Sequence, residues 1–181
     1  MFKKIFLLTA TVLFLSYASG ISHAEEGLSL ELAKAKVEAA ASLVAAVGEA
    51  AFPKLKDPNG EFRFANGKGY IWIHNLQGVM VMHPISPELE GKDMLAYKDS
   101  GGFEFFVAMN ELVRKHGAGW VVYMWPKPGR KYEELKGSYV KLVSKNGKDY
   151  VLGCGMYDIN KDYIKAQMPQ DIIYDSASGF K

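Results

Sequence analysis

Residues 69–83 alternate with period two, and both phases of the alternation are apolar. Gly69–His74 and Val79–His83 read as two strands joined by the turn-prone Asn75-Leu76-Gln77-Gly78. A tight turn there sets Tyr70 opposite His83, Trp72 opposite Val81 and His74 opposite Val79. One face of the hairpin then holds Tyr70, Trp72, His74, Val79, Val81 and His83, and the other holds Ile71, Ile73, Met80 and Met82. A sheet that is apolar on both sides needs cover on both sides. The rest of the chain has to supply two covers.

The first is upstream. Residues 29–52 read as one long helix, with Ser29 as N-cap, Glu31 in the first turn and Pro53 as the stop. Leu30, Ala33, Val37, Ala40, Val44, Val47 and Ala51 form its buried stripe. Residues 54–68 are turn-rich, with a short strand expected at Glu61–Phe64. The second cover is downstream, where an irregular stretch from Pro84 to Gly102 leads into a helix over Phe103–His116. That helix puts Phe105, Phe106, Met109, Leu112 and Val113 on one face and ends on Gly117. Strands follow at Gly119–Trp125, Ser138–Ser144 and Tyr150–Met156. The order predicts an α+β, PAS-like fold: an antiparallel sheet with a long N-terminal helix on one face and a loop-plus-helix lid on the other.

The N-terminus sets the compartment. Lys3 and Lys4, the apolar run Ile5–Leu15 and Ser22-His23-Ala24 have the three parts of a secretory signal, so residues 1–24 are expected to direct export to the periplasm. The alternative is an uncleaved inner-membrane anchor. Removing those residues leaves 20 basic against 20 acidic side chains, which gives no electrostatic case for nucleic acid. The expected divisions are a signal segment over 1–24, one ligand-binding domain over 25–160 and a polar tail over 161–181. Cys154 is the only cysteine, so no internal disulfide forms.

Several ordered motifs carry a family resemblance. Residues 69–84 resemble the first hairpin of the single Cache domain, second subtype. Leu89-Glu90-Gly91-Lys92 is similar to that family's LEGK loop, with Lys98-Asp99 as the turn after it. Tyr123-Met124-Trp125-Pro126-Lys127-Pro128-Gly129 is similar to its YxWPKPG strand, and Gly153-Cys154-Gly155-Met156-Tyr157 to its GTGVY ending, with cysteine for threonine. The likeness runs from about residue 30 to 160. It implies a sensor domain of the kind found in chemoreceptors and histidine kinases, which bind small carboxylates and other metabolites on the sheet. Receptors of this kind carry a second membrane span and signalling modules after the domain. Ile159–Lys181 is polar and mixed instead, so signalling is expected to come from a partner.

The expected ligand-binding residues are Trp72, His83, Tyr123, Trp125, Lys127, Tyr139 and Lys141. Small-molecule pockets are mostly apolar and aromatic with a few aimed polar groups, and a carboxylate asks for lysine and tyrosine donors. Lys141 lies between Val140 and Leu142, a costly place for a charge that meets no anion. The alternatives are that Lys141 reaches out from an edge and that the aromatic residues are core. His83 precedes Pro84 and so ends its strand; it either contacts the ligand or orients the next loop. His74 and His83 are too far apart in the expected hairpin to share a metal, Cys154 has no local His or Asn partner pattern, and no phosphate loop is present. The expectation is a ligand-binding protein without catalytic residues, cofactor or metal. It would bind a small organic acid or similar metabolite and act with a membrane histidine kinase, chemoreceptor or transporter. The alternative is a structural or interaction module that dimerises through helix 29–52.

Overall fold

The computed structural model describes residues 27–177, so the expected signal segment lies outside the described residues. The elements in order are α1 (Leu30–Val47), α2 (Phe52–Lys56), β1 (Arg63–Phe64), β2 (Gly69–Tyr70), β3 (Trp72–Asn75), β4 (Met80–Met82), α3 (Phe105–His116), β5 (Ala118–Pro126), β6 (Glu133–Lys145), β7 (Lys148–Tyr157), α4 (Lys161–Gln167) and β8 (Ile173–Tyr174). Six strands form one sheet in the order β4-β3-β7-β6-β5-β8, and β1 and β2 form a separate two-stranded ribbon. Every neighbouring pair is antiparallel except β5 and β8.

Both faces are covered. Leu30, Ala33, Val37, Ala40 and Val44 of α1 are buried against Ile73, Trp120, Tyr139, Leu152 and Cys154 of the sheet. The Ser29 hydroxyl caps α1 by accepting from the Leu32 amide, as its position before an apolar stripe suggests. The opposite face packs Trp72, Val121, Tyr123, Val140 and Val151 against Phe105, Phe106, Met109, Leu112 and Val113 of α3. The lid loop is fastened to the outer edge of β4 by backbone bonds: Met80 donates to Lys92, Gly91 to Met80, and Met94 to Gly78. Met94 is fully buried beneath it.

Three expectations change. The helix expected over 29–52 breaks at Gly48, whose φ of 62° carries the chain into a short 3₁₀ turn before Pro53 opens α2. Val47, expected in the buried stripe, is 49% exposed as a result. The first hairpin is not in the simple register: Ile73 faces Met82 while His74 faces Met80. Val81 is therefore a bulged extra residue, which sends Met80 to the lid face with His74 and leaves Met82 on the α1 face with Ile73. The segment read as a polar tail holds α4 and β8. Ile164 of α4 packs in the core, and β8 extends the sheet as a parallel edge strand beside β5. Asp171 secures this end by accepting from the Trp120 indole at 3.0 Å while pairing with Lys34 of α1. No helix among the described residues is long and apolar enough to cross a membrane.

Candidate functional site

The lid side of the sheet encloses a cavity lined by Trp72, Met80, His83, Leu89, Phe105, Phe106, Tyr123, Trp125 and Lys136. Strand alternation explains most of this set. Tyr123 and Trp125 lie on the lid face of β5, and Tyr123 pairs across to Lys136 of β6. Lys136 is only 3% exposed. Its ammonium lies 4.9 Å from the ring centre of Tyr157, 5.3 Å from that of Trp72 and 5.9 Å from that of Tyr70. No acidic side chain among the described residues pairs with it, and burial lowers its pKa from 10.5 to about 8. The Trp72 indole N–H beside it is buried with no acceptor. An unpaired cation next to an orphaned donor is the reverse of a satisfied core.

The neutral donors are held by the fold. Tyr123 shares a hydrogen bond of 2.9 Å with Ser138, and burial raises its pKa well above the usual tyrosine value, so it stays protonated. The His83 ring accepts from the Ser86 amide at 2.9 Å through Nδ1, which puts its proton on Nε2. Burial first, and then the charge of Lys136, lowers its pKa to about 4, so the ring is neutral at pH 7. His83 braces the following loop through this bond, and its ring also lines the cavity. Phe105 closes the space, stacked on Tyr123 with ring centres 4.3 Å apart. The cavity that remains is about 20 Å³, room for a single water.

Of the seven expected residues, Trp72, His83, Tyr123 and Trp125 line this cavity. The other three are elsewhere. Lys127 lies at the surface, paired with Glu134 and Asp158. Tyr139 and Lys141 project from the α1 face of β6, where the Tyr139 hydroxyl donates to Glu38 at 2.8 Å and Lys141 pairs with Glu38 at 2.7 Å. They are two residues apart and so share a face, but it is the face opposite the cavity. Lys136, with Ser138 and Val140 in the same phase, is the lysine of β6 on the cavity face. Its signal was the run Lys136-Gly137-Ser138 extending the strand by one more alternation. Replacing Tyr139 by Phe and Lys141 by Met is expected to leave ligand affinity unchanged while costing about 1 kcal/mol or less each in stability. Calorimetric titration of the double variant checks this; a large loss of affinity would put the site on the α1 face.

Cys154 is buried among the α1-side residues and burial pushes its thiol pKa up to about 12, the wrong direction for a nucleophile. Among the described residues no three His, Cys, Asp or Glu side chains converge at metal-binding distance.

A PAS-like sheet with one face under a long helix and the other under a loop-plus-helix lid is the architecture of a sensor-type domain. The family model for the Cache domain (dCache_2) matches residues 49–174, and the chain belongs to the Cache domain family. It is 38% identical over 98 residues to the methyl-accepting chemotaxis protein McpP of Pseudomonas putida, covering 53% of this chain and 18% of that one, so it spans less than a fifth of that relative's length. Among solved structures, a periplasmic sensor domain of a chemotaxis protein is 34% identical with a TM-score of 0.58, over 71% of this chain and 94% of the other. A Cache chemosensory domain described for carboxylic acid recognition is 38% identical with a TM-score of 0.56, over 71% and 88% respectively.

Proposed function

We propose that this domain binds a small carboxylate in the lid-side cavity, with Lys136 as its counter-ion and Trp72, His83 and the Tyr123–Ser138 pair as neutral donors. The observation that carries the reading is the buried ammonium of Lys136, which meets aromatic rings and no acid. A carboxylate supplies what the site lacks: one negative charge and acceptors for the orphaned Trp72 N–H. The likeness to a domain described for carboxylic acid recognition supports the same class. Because the enclosed space is about 20 Å³, the acid has to displace Phe105 or the lid loop to enter. Binding thereby favours one lid position over another, and that difference is the signal.

The domain would act in the periplasm, as the signal-like residues 1–24 and the similarity to periplasmic chemotaxis sensor domains suggest. It would report to a membrane chemoreceptor or histidine kinase. Isothermal titration with acetate, propionate, succinate and ethylamine tests the ligand class. The acids, monocarboxylates above all, are expected to bind and to raise the melting temperature by mass action, and the amine to do neither. No heat and no thermal shift with any acid would end this reading.

A further inference from the structure

A second, outer cation stands behind the cavity. A groove of about 530 Å³ runs between α2, the turn joining β1 to β2, and the loop that follows His83, with Lys56, Arg63, Phe64, Asn66 and Ile85 among its walls. The Arg63 guanidinium lies 5.7 Å from the ring centre of Tyr70. That same ring is 5.9 Å from the Lys136 ammonium and 5.4 Å from the His83 ring. One aromatic residue therefore lies between the cation at the large groove and the cation at the small cavity.

The acids around the groove are already engaged. Glu90 accepts from the His83 amide at 2.8 Å and pairs with Lys56 at 2.7 Å. Asp57 accepts from the Asn59 amide at 2.9 Å within its own turn. No acidic side chain among the described residues pairs with Arg63. The turn that carries it is built to leave it room: Ala65, Asn66 and Gly67 all have positive φ, and a Cβ at Gly67 would come within 3.3 Å of the Arg63 Nε. The β1–β2 ribbon lies outside the main sheet. The loop beyond His83 is fastened to α2 through Glu90.

We infer that this groove is a capture site for the incoming carboxylate, with Arg63 as its cation, and that the acid passes Tyr70 and His83 to reach Lys136. The inference rests on the proposed carboxylate binding. Arg63 holds the anion at the mouth, and release of the Glu90 clasp opens the way in. Such a residue acts on the rate of arrival, since the bound acid ends up beside a different cation.

Stopped-flow measurement of acetate binding through tryptophan fluorescence tests it, because Trp72 and Trp125 both line the cavity. At low ionic strength Arg63→Gln is expected to slow association about threefold or more and to leave dissociation unchanged. Arg63→Lys is expected to retain most of the rate. The difference between wild type and Arg63→Gln should vanish near 1 M salt, where the screening length falls to about 3 Å. Glu90→Gln, which loosens the clasp, is expected to speed association and dissociation together. An Arg63→Gln protein with the wild-type association rate and salt dependence overturns the capture site. So does one altered only in dissociation, which would make Arg63 part of the final site. A wild-type protein that gives no fluorescence change and no calorimetric heat with acetate, propionate or succinate ends the carboxylate reading and the capture site together.

Discussion

Lys136→Met is expected to abolish acid binding and, in the same protein, to raise the melting temperature. The two effects have one cause. The ammonium is 3% exposed, meets aromatic faces in place of a carboxylate, and has its pKa lowered from 10.5 to about 8 by burial. A shift of that size is a penalty on the charged form of about 3 kcal/mol at neutral pH. Methionine keeps most of the volume and removes the charge, so a gain of about 1–3 kcal/mol is expected on chemical or thermal unfolding. The acid loses the one buried lysine among the described residues as its counter-ion, and affinity for acetate should fall at least about a hundredfold. Stability gained as binding is lost marks a residue kept for function. A variant that binds normally, or that is strongly destabilised, would show Lys136 to be a structural residue.

The pH dependence follows with a definite sign. Lys136 has a lower pKa folded than unfolded, so between pH 8 and 10.5 the unfolded chain holds the extra proton. The penalty on the folded state is fully present below pH 8 and is relieved as pH rises toward 10.5, so the ligand-free protein gains stability from this group across that window. Acid binding moves the other way: it weakens by up to about tenfold per pH unit above pH 8, because the anion needs the ammonium. Lys136→Met should lack the stability rise.

The layered fold was legible because its signals are local and repeat. Two apolar phases in residues 69–83 required two covers, and Ser29 with its stripe and Phe105, Phe106, Met109, Leu112 and Val113 supplied them. The bulge at Val81 was not legible, since it depends on how β4 meets β3 and on the lid loop that bonds to the outer edge of β4. The aromatic part of the site was readable for the same reason as the sheet: Tyr123 and Trp125 share a phase, and Trp72 belongs to the other strand's lid phase. Lys136 gives no strand signal of its own because the apolar alternation reads from Ser138, whereas β6 begins at Glu133. A strand starting at Ser138 excludes Lys136 and offers Lys141 as its cation. Lys141 alternates with Val140 and so shares the α1 face with Tyr139, where Glu38 of α1 pairs with it. The end of the chain hid β8 because a two-residue edge strand has no periodicity to read; it is placed by pairing with β5.

Gly153→Ala and Gly155→Ala should separate folding from binding, although they lie two residues apart on one face of β7. A Cβ at Gly153 would stand 2.3 Å from the Trp72 ring, with two further ring atoms within 2.8 Å. That ring is rigid and buried in one cluster with Met80 and the side chains of α3, so it shifts only by disturbing their packing. Gly153→Ala is expected to cost about 3 kcal/mol in stability and to weaken acetate binding by displacing Trp72. A Cβ at Gly155 would stand 2.1 Å from Lys136 Cε and 2.6 Å from Ser138 Oγ. Here the nearer obstacle is the far end of a flexible lysine side chain, and the second is the buried Ser138 hydroxyl that Tyr123 holds at 2.9 Å. Gly155→Ala is therefore expected to cost less stability than Gly153→Ala while moving the ammonium out of its cage, with affinity for acetate down at least about tenfold. The unfolding curve and the titration of each variant give the comparison. Normal binding in Gly155→Ala would mean that the position of Lys136 is unimportant, which the carboxylate site cannot survive. The pair also accounts for Gly153-Cys154-Gly155 as a sequence. Cys154 fills the α1 side, and the two glycines take the side chains off the lid side, so the floor of the strand sinks to make room for an indole and an ammonium.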